Sequence, residues 1–342
     1  MRHQHTQQWS RREFLGGLTL TGTAGLLGLQ PRPVAAEPPP ETTKLTLVQI
    51  SGLCVAPQYV SEELLRGEGF TEVQYIKKDG NVEVLSALAD GEAQLSTAFV
   101  APFIIQVDTG LPIVLLGGVH VGCFELFGTE RVQAVRDLKG KTVAVPDLGS
   151  GSSQYVFLAS ILSYVGLDPV KDVNWIIQPR AEAMQLLAEE RIDAFMGFPP
   201  DPQELRAKQI GHVVMNSAVD RPWSQYFCCM VASSREFVHK HPVATKRALR
   251  AILKATDICA LEPDRAARAL VDKGLVKNYA YALQSMQDVP YNRWREYNPE
   301  DSVRFYALRL HEAGMIKSSP QKIIAQGTDW RFLNELKKEL KG

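Results

Sequence analysis

Apolar runs and amphipathic stretches alternate along most of the chain, and the alternation repeats. Residues 44–50 read as a strand, followed by a Gly/Ser turn, an amphipathic helix over 58–65 that runs to Gly67, and a short strand at 73–76. A helix over 82–92, a strand over 94–99 and another at 112–117 complete the set. The same order returns about 99 residues later. It comprises a strand at 141–145, a helix over 155–165 ending at Gly166, a strand at 173–177, a helix over 181–191, and strands at 193–198 and 212–216. Glu83 matches Glu182, Leu88 matches Leu187 and Phe99 matches Phe198 at that one offset. Strands separated by helices of this length predict βαβ units, parallel sheets and helices on both sheet faces. The expected fold is therefore α/β and two-lobed, each lobe a mostly parallel sheet flanked by helices.

The continuous apolar run 225–232 predicts a buried strand that returns the chain to the first lobe. Helices are expected from Pro242, over 263–273, and near 302–313 and 330–341. The expected division is 44–122 with 229–300 for lobe I, 123–228 for lobe II, and 301–342 as C-terminal helices.

The first 36 residues follow a different pattern. Ser10-Arg11-Arg12-Glu13-Phe14-Leu15, a weakly apolar stretch over 16–29 and Val34-Ala35-Ala36 form a twin-arginine export signal with a small-residue cleavage site. Residues 37–43 then read as a short extended tether, and the mature chain is expected in the periplasm. The 38 basic and 38 acidic side chains balance, with no basic block, which argues against a nucleic-acid partner. Cys54, Cys123, Cys228, Cys229 and Cys259 are odd in number and contain no C-x-x-C, so neither a disulfide framework nor a zinc site is implied. No cofactor and no enzyme activity are expected, and the protein should be a monomer.

In open α/β sheets, ligands bind beyond the carboxyl ends of strands. That rule picks out Gly52, Leu53, Cys54, Asn81, Thr97, Phe99 and His120 in lobe I, and Ser150, Ser152, Ser153, Arg180 and Phe198 in lobe II, with Tyr226 near the return crossover. The run Gly149-Ser150-Gly151-Ser152-Ser153 opens a helix, whose free N–H groups suit an oxyanion; a serine there also serves simply as a cap. Arg180 is either a bidentate partner for that anion or a solvated side chain, and His120 either reads a ligand oxygen or is structural. Trp223 is the tryptophan expected nearest the cleft.

Leu138-Lys139-Gly140-Lys141 resembles the strand opening of the nitrate/sulfonate/taurine family of ABC-importer binding proteins, which includes receptors for thiamine-pyrimidine precursors. The turns Gly91-Glu92-Ala93-Gln94 and Glu190-Arg191-Ile192-Asp193 resemble its paired G-E-x-D turns, with Gln94 in place of the usual Asp. Glu236-Phe237-Val238 followed by His241-Pro242 resembles the start of its return helix. The resemblance implies a type II periplasmic-binding-protein fold, a small-molecule ligand that is anionic or contains nitrogen or sulfur, and an ABC permease in the inner membrane as partner. A pyrimidine-synthase-like enzyme, hinted at by Phe227-Cys228-Cys229-Met230, and a periplasmic ligand sensor are the alternatives.

Overall fold

The computed structural model describes residues 37–78 and 80–340. The expected export signal lies outside them. The strands are β1 (Lys44–Gln49), β2 (Glu72–Lys77), β3 (Leu95–Phe99), β4 (Ile113–Val121), β5 (Glu125–Gly128), β6 (Thr142–Val145), β7 (Asn174–Ile177), β8 (Ala194–Gly197), β9 (His212–Asn216) and β10 (Phe227–Ser234). They form two five-stranded sheets, ordered β2-β1-β3-β10-β4 and β7-β6-β8-β5-β9.

The two orders are the same pattern repeated. β1 pairs parallel with β2 and β3, as β6 does with β7 and β8. The one reversed strand in each sheet, β10 and β5, is the strand that arrives from the other sheet. Every residue of β4 and β10 is buried, which accounts for their largely apolar sequences, whereas the edge strands β2 and β7 are half exposed.

Paired polar side chains fix the corresponding strands. The Thr142 N–H donates to Asp193 Oδ2 at 2.8 Å, and in the first lobe Thr46 N–H donates to Gln94 Oε1 at 2.7 Å. Gln94 thus supplies the acceptor that the aspartate supplies in the second lobe. Gln58, fully buried, donates to the Val48 carbonyl and accepts from the Thr97 N–H, both at 2.8 Å, bridging β1 and β3 beyond their single paired position.

The sheets are joined by two connections, 122–124 and 217–226, which touch. Ser217 Oγ accepts from the N–H groups of Cys123 and Phe124 at 3.0 and 2.8 Å and donates to the Phe124 carbonyl at 2.9 Å. Gly122 has φ of 32°, and a Cβ there would overlap the Ser217 backbone, so the crossing requires glycine. The helix Pro299–Glu312 packs on both Val100–Asp108 and Ser153–Tyr164, and Tyr306 meets Phe99 edge-on at 5.4 Å. Trp223 belongs to this aromatic core, 5.1 Å from Phe157, and not to the cleft. Near the start of the described chain, Glu41 accepts from the Val243 and Ala244 N–H groups at 2.9 and 2.8 Å. The helix Pro242–Leu261 therefore begins on a carboxylate, and residues near 41 are docked rather than free.

Candidate functional site

The tips of β1, β2 and β3 face those of β6, β7 and β8 across a cavity of about 320 Å³, at the lower end of the roughly 300–1,000 Å³ usual for small-molecule sites. Its apolar wall is a trio of rings: Phe99 packs on Phe124 at 5.0 Å and Phe124 on Phe198 at 5.6 Å. Polar groups enter from both lobes, with Lys78 and Arg180 balanced by Glu83 and Asp147, and Ser51, Asn81, Ser153 and Gln154 between them.

The repeat places its two helices, Asn81–Ala89 and Arg180–Ala188, so that the first residue of each reaches across the cleft. Asn81 Nδ2 donates to the Ser150 carbonyl at 3.2 Å and lies 3.1 Å from Ser153 Oγ. Arg180 Nη1 lies 3.4 Å from Ser51 Oγ, while its Nη2 is held by Asp201 at 2.8 Å and its guanidinium sits 4.5 Å over the Phe198 ring. Among the described residues, Arg180 Nε and Gln154 Nε2 are buried without a hydrogen-bond partner. Both residues line the cavity. Burial pushes Asp201 up to about 6 against the attraction of Arg180. The Leu53 N–H donates to the Pro199 carbonyl at 2.9 Å, a further bond across the cleft.

The expected site residues divide into groups. Cys54, Asn81, Phe99, Ser153, Arg180 and Phe198 line the cavity. Gly52 and Leu53 stand beside it along an adjoining groove, and Ser150 contributes its carbonyl to Asn81. Ser152 is buried and caps the helix Ser153–Tyr164, accepting from the Tyr155 N–H at 3.1 Å. Thr97 is buried in β3, and Tyr226 stacks on Phe305 at 3.9 Å, outside the cavity. His120 is buried among Cys54, Cys123 and Cys229 at the cavity floor. Burial pulls its pKa down, but the Cys229 and Cys54 thiols outweigh that and push it up to about 10.

Phe124, Asp147, Gln154, Lys78 and Glu83 were not picked out by the sequence. Asp147 sits just beyond β6 and its carboxylate lies against Gly151, where a side chain would displace it. This acid stands beside the helix start expected to favour an anion, so the cleft offers both signs of charge. Gln154 carries a signal of its own, as an amide in the first turn of an otherwise apolar helix.

The profile of the NMT1-like family matches residues 38–273. The chain belongs to the NMT1-like family. Among curated relatives, the bicarbonate-binding protein of Synechococcus elongatus is 28% identical over 109 residues, 32% of this chain and 24% of that protein. The taurine-binding periplasmic protein of Escherichia coli is 25% identical over 201 residues, 58% of this chain and 60% of the relative. These alignments therefore span between a quarter and three fifths of the relatives' own length. The periplasmic nitrate-binding protein of Synechocystis superposes with a TM-score of 0.74 at 16% identity, covering 89% of this chain and 90% of the other. The alkanesulfonate-binding protein of Xanthomonas axonopodis, bound to MOPS, gives 0.66 at 16% identity, covering 86% and 100%. At such identities the likeness is one of fold, and the fold is that of the periplasmic binding proteins. All four are binding proteins by name, not enzymes.

Proposed function

We propose that this NMT1-like protein is the periplasmic solute-binding component of an ABC importer, exported through its twin-arginine signal and acting as a monomer. Its ligand is a small organic solute with an anionic head and a compact apolar or flat part. The observation that carries this reading is the cavity between the strand tips, small, ring-walled, and lined from both lobes by polar side chains including Asn81, Ser153, Gln154 and Arg180. Arg180 is positioned for the anionic head, because Asp201 and the Phe198 ring hold its guanidinium at the rim. The rings of Phe99, Phe124 and Phe198 serve the apolar part. Asp147 and Glu83 disfavour a bare inorganic anion and favour a solute that also carries a hydrogen-bond donor or an amine.

The bonds across the cleft support a closing mechanism. Asn81 to Ser153 and Leu53 to Pro199 form only when the lobes meet, so a ligand that adds contacts to both halves shifts the population toward the closed form that a permease reads. The relatives named above bind bicarbonate and taurine, and the structural neighbours nitrate and alkanesulfonate. Those names set the range of solutes to try. A thermal-shift screen of sulfonates, carboxylates, amino-sulfonates, nitrate and pyrimidines tests the proposal, since a solute that binds only the folded state raises the melting temperature. A shift by an organic anion that disappears in Arg180→Gln is the expected result.

A further inference from the structure

Behind the ring wall, Cys54, His120, Cys123 and Cys229 bring one ligand atom each into a group whose members all lie within 4.8 Å of one another. All four side chains are buried, between 0% and 6% exposed. They come from separate parts of the chain: the turn after β1, the end of β4, the first connection between the sheets, and β10 just after the second. We propose that these four residues form a tetrahedral site for a thiophilic divalent ion of the zinc class, set at the hinge between the lobes. The inference does not rest on the identity of the transported solute.

The donor set fits such an ion. Three thiolates and one imidazole make a complete four-coordinate shell, and metal–sulfur bonds of about 2.3 Å put tetrahedral ligands roughly 3.8 Å apart. Ligand atoms within 4.8 Å therefore reach that geometry by small side-chain rotations. The histidine is also prepared for it. His120 Nδ1 lies 3.1 Å from the Val121 carbonyl, which can only accept, so Nδ1 keeps its proton and Nε2 is the nitrogen that would lose its proton to bind an ion. Nε2 is buried and has no hydrogen-bond partner among the described residues. An unpartnered buried imidazole nitrogen on a histidine grouped with three thiols is the arrangement of a ligand rather than of a packed core histidine.

The surroundings hold the ligands in place. Tyr291 donates to the carbonyls of Leu53 and Cys54 at 3.1 and 3.0 Å and meets the His120 ring edge-on at 5.6 Å. Ser217 fixes the backbone of Cys123. Cys228 Sγ lies 3.3 Å from Cys123 Sγ, close enough for a protonated Cys228 to donate to Cys123 once an ion holds that sulfur as a thiolate. Loading releases to solvent the protons that the three ligating thiols and His120 Nε2 still carry. The bound ion ties the first connection to β10 and to the turn after β1, at the place where the lobes pivot.

The test uses the full chain, produced with zinc in the medium and purified under reductant without oxygen. Elemental analysis should find about one zinc per chain, and Co2+ replacing it should give the visible bands of tetrahedral cobalt with thiolate charge transfer. Cys229→Ser should weaken Co2+ binding by roughly 100-fold or more, beyond the 10–100-fold range for loss of an outer-shell partner. Cys259→Ser, also a buried thiol but outside the cluster, should leave binding unchanged. If Cys229→Ser does not fold, release of one metal per chain by a mercurial from the wild-type protein supports the proposal equally. A reduced, folded chain that takes up neither ion overturns it. So does a metal-free chain recovered from the periplasm with Cys123 and Cys228 already joined.

Discussion

Ser152 and Ser153 are neighbours in sequence with opposite employment. Ser152 Oγ is turned inward as the helix cap, while Ser153 Oγ faces the cavity and meets Asn81. The serine-rich turn was legible as the opening of a helix; which hydroxyl faced which way was not, because a cap and a ligand-binding serine have the same spacing requirement. Ser152→Ala should destabilise the protein by about 1 kcal/mol in urea unfolding and leave ligand affinity unaltered. Ser153→Ala should do the reverse, lowering affinity in calorimetry with little effect on the unfolding midpoint. Asp201 contributes at the same scale. Its carboxyl ordinarily titrates near 3.8, and burial raises it to about 6 in the fold. The folded state therefore holds a proton that the unfolded chain releases, so this contribution is present below about pH 4 and is lost as pH rises to about 6. Relative to Asp201→Asn, the wild type should lose up to about 3 kcal/mol of unfolding free energy across that window. Parallel pH profiles of the two proteins would check it.

Elements were the most readable level, because the repeat displays each one twice. The helices Asn81–Ala89 and Arg180–Ala188, and the strands β3 and β8, fall where the shared offset puts them. The strand β5 escaped, being only four residues with a glutamate at its start and a glycine at its end. It becomes a strand through its place between β8 and β9, which is tertiary information. Gln94 stands where the family pattern has an aspartate, and its amide oxygen holds the Thr46 N–H. Gln94→Ala should loosen the start of β1 and speed amide exchange at Thr46 by about tenfold, whereas Gln94→Asp should preserve it. Where the connections cross, Gly122→Ala forces a Cβ into the Ser217 backbone, and a loss of several kcal/mol in unfolding free energy is expected.

For the molecule as a whole, the tandem repeat produces two sheets of one design, linked by crossing strands and facing each other at their carboxyl ends. The cleft was therefore predictable as a location, and six of its lining residues follow from strand tips alone: Cys54, Asn81, Phe99, Ser153, Arg180 and Phe198. What the strand-tip rule cannot reach is the lining supplied from elsewhere, such as Phe124 from the first connection and Gln154 from within a helix turn. The thiol cluster was hidden for the same reason, since its four members are scattered from position 54 to 229 and meet only when the two connections cross. Ligand binding here should also hold the molecule compact, because a solute touching both lobes adds to contacts such as Asn81 to Ser153 that join them. The most direct measurement is titration calorimetry of the solute that gives the largest thermal shift, against the wild type and Arg180→Gln. A single site per chain, with affinity at least about tenfold weaker in the variant, is the predicted outcome. Equal affinity in the two proteins, or no solute of the screened classes binding at all, would contradict a solute site between the lobes.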